Sequence, residues 1–241
     1  MSERPYHLDI FSGIGAWGIS AEWAGYRTVG FAECAEYPSR VLKRHWPHVK
    51  NYGDVRKVTA KKTGRIDCIT ASPPCQPYSV ANRNRGDESD DRILWPELCR
   101  VVEDIRPRWL VGEETPDFAN MGLDAFFDAL CALGYTCQAI VLPACCVGAR
   151  HIRQRLWFIC HTDRPGLEGY REYRERPRKR TAWTTVPSHL WGEPSTRIFR
   201  VADGFSNWPH RPARIQAVGN SITPQLGYQI LTLTLNTNNT Q

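Results

Sequence analysis

The chain has 241 residues, 41% of them hydrophobic, and a formal net charge of +6, enough apolar content for one sizeable core and a small second lobe and too much for a disordered chain. No run approaches the roughly eighteen consecutive apolar residues of a membrane helix, and Met1-Ser-Glu-Arg-Pro-Tyr-His7 has no apolar centre of a signal peptide, so an intracellular protein with no membrane partner is expected. The nine cysteines show no C-x-x-C spacing, which fits small buried thiols in a reducing compartment and gives no support to a metal site.

In chain order, residues 6–11 read as a buried strand, followed by a Gly-rich turn. A helix is predicted over 16–24, with Gly18 a weak spot and Gly25 a stop. A strand over 28–32 and a helix over 36–45 precede Pro47. The strand over 66–70 comes next, then a polar stretch over 82–91, a helix over 93–105 and a strand over 109–111. An apolar helix over 123–133 leads to strands over 135–142 and 156–160. This rhythm predicts an α/β fold whose parallel sheet is covered by helices on both faces.

From 161 to about 212 the periodicity breaks among Pro, Arg and Trp residues, and regular character returns over 215–235. The expected division is an α/β core domain over 1–160, an irregular lobe over 161–212, a return segment over 213–235 that completes the core domain and a tail over 236–241. Between Arg164 and Arg180 stand six Arg and one Lys against three Glu. Such a stretch suits a phosphate-facing surface and equally a solvated loop.

Gly13, Gly15 and Gly18 form a G-x-G-x-x-G in the first βα turn, and Glu33 ends the second strand twenty residues after Gly13. Glycines there let a ligand approach the backbone, and a carboxylate at that point can bind ribose hydroxyls. The pattern serves a nicotinamide dinucleotide or an adenosyl group alike. Asp54 reads as a ligand residue or as an ordinary turn residue. Cys75 follows a predicted strand and sits among Pro73, Pro74 and Pro77, a rigid setting for a thiol at the carboxyl end of a sheet. A thiol must be deprotonated before it attacks, and at a reference pKa of about 8.5 it needs help from its neighbours.

Asp9-Ile-Phe-Ser-Gly-Ile-Gly15, Glu33, Gly53-Asp-Val55, Ser72-Pro-Pro-Cys-Gln76, Arg153-Gln-Arg155 and Gly219-Asn-Ser-Ile-Thr-Pro224 together resemble the ordered motif set of the DNA (cytosine-5)-methyltransferases. Arg200-Val-Ala-Asp-Gly204 is similar to a segment of compact prokaryotic and phage members. The resemblance implies a Rossmann-like class I methyltransferase fold, mostly parallel, with a small target-recognition lobe over 161–212. It also implies S-adenosylmethionine as methyl donor, S-adenosylhomocysteine as product and no metal. The implied partner is double-stranded DNA with a flipped cytosine, with a cognate restriction endonuclease as a further partner, and the chain is expected to be a monomer.

By the same resemblance, Cys75 is the nucleophile, Glu113 the acid at N3 of the base, Arg155 the contact to O2 and Arg153 its support. Phe11, Gly13, Gly15, Glu33, Asp54, Pro74, Leu94, Asn220 and Ser221 are assigned to the cofactor. Gln76, Ser79, Arg83, Arg85, Arg171 and Arg174 are assigned to DNA.

Two departures stand out. The family's Glu-Asn-Val is here Glu113-Glu114-Thr115, and Arg150-His151 stands where many members have Pro-Gln or Pro-His. An Asn can donate as well as accept, whereas an ionised Glu only accepts, and a second carboxylate can raise the pKa of the first. The alternatives kept open are an RNA cytosine-5 methyltransferase, a catalytically altered DNA-binding homologue, and an enzyme using an unusual donor or a modified base. Gln76 favours the DNA type over the RNA branch.

Overall fold

The computed structural model describes residues 4–74, 94–162 and 211–236. Seven strands form one sheet: β1 (Tyr6–Ile10), β2 (Arg27–Ala32), β3 (Lys50–Asn51), β4 (Cys68–Ala71), β5 (Trp109–Glu114), β6 (Thr136–Pro143) and β7 (Gln154–His161). Their order is β3-β2-β1-β4-β5-β7-β6. The first five pair in parallel, and β7 runs antiparallel to both β5 and β6. The sheet is therefore mixed rather than all parallel. The order reverses between β1 and β4, and open α/β sheets bind ligands outside the carboxyl ends of strands at such a point.

The helices are α1 (Ala16–Ala24), α2 (Glu36–His45), α3 (Ala60–Thr63), α4 (Trp95–Ile105), α5 (Phe118–Met121), α6 (Leu123–Ala132), α7 (Arg211–Asn220) and α8 (Pro224–Asn236). Alternation along each strand divides the core in two. Leu8, Ile69, Leu110 and Phe158 face α4 and α6 through Val101, Val102, Phe126 and Leu130. Cys68, Trp109, Val111 and Trp157 face α1 and α8 through Trp17, Ala21, Leu226 and Ile230. Helices thus cover both faces.

Local chemistry accounts for most boundaries. Gly25 adopts φ 107° after α1, and its N–H returns to Ala21 and Glu22, a left-handed stop that favours glycine. The segment expected to be regular over 215–235 is two helices instead, because Pro224 opens α8 and disfavours helical geometry in the residue before it. β5 runs three residues past the predicted strand over 109–111, because β7 pairs Glu113 with Trp157 and Glu114 with Leu156. Tertiary pairing overrides the low strand preference of glutamate there. Short β3, α3 and α5 lie below what periodicity detects.

On the α1 face of the sheet the buried polar groups form a chain. His7 bonds Thr28 Oγ1 at 3.0 Å and Thr70 Oγ1 at 2.8 Å, and the Thr70 hydroxyl donates to Asp9 Oδ1. Burial drives the His7 pKa down to about 3, which leaves the imidazole neutral, and pushes the Asp9 pKa up. Among the described residues no helix is long and apolar enough to cross a membrane.

Candidate active site

The chain leaves β1 through a turn unsuited to most side chains. Phe11 has φ 57°, Gly13 φ 51° and Gly15 φ 86°. A bulky residue in the left-handed region costs about 1–3 kcal/mol and is held only by its surroundings. The Ser12 hydroxyl donates to Asp9 O at 2.7 Å and accepts from Ala32 N at 3.1 Å, pinning the turn to the ends of β1 and β2. Glu33 completes the brace by accepting Gly13 N at 2.8 Å and Ala35 N at 2.7 Å. Each carboxylate oxygen keeps a lone pair for another donor.

A cleft of about 870 Å³ opens over these strand ends. Phe11, Gly13, Glu33, Asp54, Pro74, Leu94 and Asn220 line it, and so do Glu113, Glu114, Arg153 and Arg155. Two assigned residues lie elsewhere. A Cβ on Gly15 would meet the Trp46 ring and Leu42 within 3 Å, so this glycine admits the packing of α1 against α2. Ser221 accepts from Arg153 Nη2 through its carbonyl at 2.9 Å and tethers the approach to β7. Asp54 is both a turn residue and a lining residue, since it also accepts from Arg56 N at 2.9 Å.

Glu113 is 6% exposed and Glu114 is 2% exposed. Arg155 Nε lies 2.9 Å from Glu113 Oε1, an ion pair buried on the carboxyl side. Burial pushes the Glu113 carboxyl up to about 7, against the opposing charges of Arg155 and Arg153 and smaller opposing contributions from the Ser72 hydroxyl and the Arg155 guanidinium. Glu114 is pushed up to about 8, by burial first and by the Glu113 charge as well, although Thr115 N donates to its Oε2 at 2.8 Å. A carboxyl that keeps its proton near neutrality can donate it to a base or a leaving group.

Cys75, Gln76, Ser79, Arg83, Arg85, Arg171 and Arg174 lie outside the described residues, as do the basic stretch from Arg164 to Arg180 and Arg200–Gly204. Arg150 and His151 are exposed beside the turn into β7. Two participants escaped the sequence reading. Ser72 was legible only as part of its motif, and Trp17, whose Nε1 donates to Ser72 Oγ at 2.9 Å, reads in sequence as one apolar position of α1.

An adenosyl group fits the donor set. Phe11 offers a ring face, Glu33 and Asp54 offer carboxylates for hydroxyl and amino donors, and the space over Gly13 is open to 4 Å. Among the described residues no group of His, Cys, Asp and Glu could hold a metal ion.

Comparison with known proteins agrees with this geometry. The chain is 25% identical over 167 residues to the type II methyltransferase M.HhaI of Haemophilus parahaemolyticus, covering 68% of this chain and 51% of that protein. It is 31% identical over 154 residues to M.CviJI of Paramecium bursaria Chlorella virus IL3A, covering 63% and 41%. Among solved structures, a Spodoptera frugiperda DNMT2 variant superposes with a TM-score of 0.56 at 22% identity, covering 66% of this chain and 50% of that one; at that identity the likeness concerns the fold. The chain thus spans about half or less of the length of these relatives. The family model for C-5 cytosine-specific DNA methylase matches residues 6–190, and the chain belongs to that family.

Proposed function

We propose that this protein transfers a methyl group from S-adenosylmethionine to C5 of a cytosine turned out of a short DNA recognition sequence. The observation that carries the reading is the buried Glu113 carboxyl, poised near pH 7 and ion-paired to Arg155, in the same cleft as Phe11 and Glu33. When bound, S-adenosylmethionine supplies an electrophilic methyl group on a sulfonium. Phe11 would take the adenine face, Glu33 the ribose hydroxyls and Asp54 the adenine amino group. Gly13, Pro74, Leu94 and Asn220 complete the walls, and Ser221 supports them through Arg153.

Cytosine C5 is a poor nucleophile. The Cys75 thiolate adds to C6, and electron density moves toward N3, where Glu113 supplies a proton and neutralises the ring. Arg155 holds O2, and Arg153 secures the turn that carries it. With C5 now enamine-like, methylation is followed by loss of the C5 proton to a base and elimination of the thiol, leaving S-adenosylhomocysteine as co-product. The target atom is out of reach inside a duplex, so the base must flip.

We assign the segment over 161–212 to target recognition, with Arg171 and Arg174 on phosphates, and Gln76, Ser79, Arg83 and Arg85 to the strand around the flipped base. A cognate restriction endonuclease is a partner where the methylation protects host DNA, whereas marking a phage genome or regulating transcription requires none.

Nucleoside mass spectrometry after incubation with S-adenosylmethionine tests the reading, with DNA and transfer RNA as parallel substrates and Cys75→Ser beside the wild type. 5-Methylcytosine in DNA from the wild type alone is the expected result. Product in RNA alone would replace the substrate, and no product in either would leave a DNA-binding homologue or a different donor.

A further inference from the structure

We infer that Asn51 is a positioning residue for the cofactor carboxylates, its one side-chain amide fixing both the backbone of Glu33 and the turn that leads to Asp54. The inference rests on the reading of Glu33 and Asp54 as contacts to S-adenosylmethionine. The ladder between β2 and β3 ends at the pair Phe31 and Asn51, two residues before Glu33. Past that point the Asn51 amide stands in for a strand backbone. Its Oδ1 accepts Glu33 N at 3.1 Å and Gly53 N at 3.0 Å, and its Nδ2 donates to Glu33 O at 3.0 Å and to Ser39 Oγ at 3.2 Å. The Ser39 hydroxyl in turn donates to Glu33 O at 3.0 Å.

The partners fix which way the amide faces. Backbone N–H groups only donate and a carbonyl only accepts, so Oδ1 must meet Glu33 N and Gly53 N, and both donors and both lone pairs of the amide are used. Glu33 is thereby held at its two ends. Gly13 N and Ala35 N secure its carboxylate, and Asn51 secures its peptide groups. Gly53 joins Asn51 to Asp54 through a single residue pair, so the amide that grips Glu33 also sets where Asp54 enters the cleft. Glu33, Gly53 and Asp54 line that cleft, whereas Asn51 stands behind them. Asn51 is exposed, so its loss opens no cavity in the core and lets water take the freed groups. What is lost is the alignment of two carboxylates.

The experiment combines calorimetric affinity for S-adenosylhomocysteine, thermal melting, and steady-state kcat and KM. The proteins are wild type, Asn51→Ala, Asn51→Asp, Ser39→Ala, Glu33→Ala and Glu33→Ala combined with Asn51→Ala. Asn51→Ala should bind S-adenosylhomocysteine about tenfold more weakly, the weight of one or two net hydrogen bonds. KM for S-adenosylmethionine should rise by a similar factor, with kcat at saturation and KM for DNA unchanged. Asn51→Asp keeps the size of the side chain but sets a second oxygen against the Glu33 carbonyl, so it should lose at least as much.

In the Glu33→Ala background the effect of Asn51→Ala should shrink to about threefold or less, because the group it aims is gone and the two losses cease to add. Unchanged affinity in Asn51→Ala, even with a lower Tm or kcat, overturns the inference. So does wild-type affinity in Asn51→Asp, or a tenfold loss that persists without the Glu33 side chain. If Asn51→Ala does not fold, Ser39→Ala decides, since it removes one partner of the amide: a loss of about threefold supports the inference and unchanged affinity overturns it. A wild type that binds S-adenosylhomocysteine but methylates no cytosine defeats the methyl-transfer reading alone. One that binds none defeats the cofactor reading, and the role of Asn51 falls with it.

Discussion

Arg155 Nε stands 2.9 Å from Glu113 Oε1, a guanidinium on β7 facing a carboxyl on β5 that is all but closed to solvent. Register produces the meeting. Glu113 pairs with Trp157 across the antiparallel ladder, and Arg155, two residues from Trp157, shares its face of the sheet. The pair places a cation against a carboxyl whose burial opposes ionisation, and the balance of the two sets the pH at which it ionises.

Removing either partner should act in opposite ways on charge and alike on rate. Glu113→Gln should lower kcat by about a hundredfold or more, the usual weight of a positioned general acid. Arg155→Ala removes a charge that holds the Glu113 pKa down, so the alkaline limb of kcat should move upward from near pH 7 while the plateau falls. Steady-state methylation from pH 5 to 9 checks both, and a limb that moves downward in Arg155→Ala would contradict the assignment.

The paired carboxyls should also write themselves into stability. Glu113 and Glu114 rise from about 4.5 to about 7 and about 8 on folding, so the folded state holds protons that the unfolded state has released. Their contribution is full below about pH 4.5 and is lost as pH rises through 7 to 8, on the order of a few kcal/mol for the pair. His7, depressed to about 3, has the opposite slope between 3 and 6.5. The difference between wild type and Glu114→Gln therefore isolates one carboxyl. The variant should gain in Tm relative to wild type as pH goes from 5 to 8.5, read by thermal melts.

By the family resemblance Glu114 stands where the family has Asn, and its pKa raised to about 8 favours the protonated form at neutral pH. A protonated carboxyl can both donate and accept, as an amide does. The wild type should therefore be active at pH 7, and Glu114→Asn should differ from it by less than about threefold there and exceed it above pH 8, where Glu114 ionises. An inactive wild type rescued by Glu114→Asn would show that the substitution cripples the site.

The first turn separates two glycines by role. Gly15→Ala would press a Cβ on Trp46 and Leu42 at φ 86° and should cost about 1–3 kcal/mol of stability, with affinity for S-adenosylmethionine kept in the folded fraction. Gly13→Ala meets nothing within 4 Å in the protein, yet it faces the cleft. It should weaken S-adenosylmethionine binding about tenfold or more with a smaller loss of Tm. Calorimetric binding and melting of the two variants distinguish them.

Much of this protein is local in its sequence. The helices over 16–24 and 36–45 match their observed bounds, because periodicity, Gly25 and the run before Trp46 act within a few residues. The Gly-rich turn and Glu33 were legible for the same reason, whereas Arg153, Arg155 and Glu113 were assigned only through the family resemblance; Gly13, Glu33, Glu113, Arg153 and Arg155 all line the cleft. Other features belong to the tertiary structure. No local pattern states that β7 inserts antiparallel between β5 and β6, that Glu113 and Glu114 continue a strand, or that Gly15 packs on Trp46 while Gly13 faces the cleft. Nor does one place the Trp17 indole on Ser72, fifty-five residues away. These depend on burial and on pairing between distant segments, and the same burial converts an ordinary glutamate into an acid poised near neutrality.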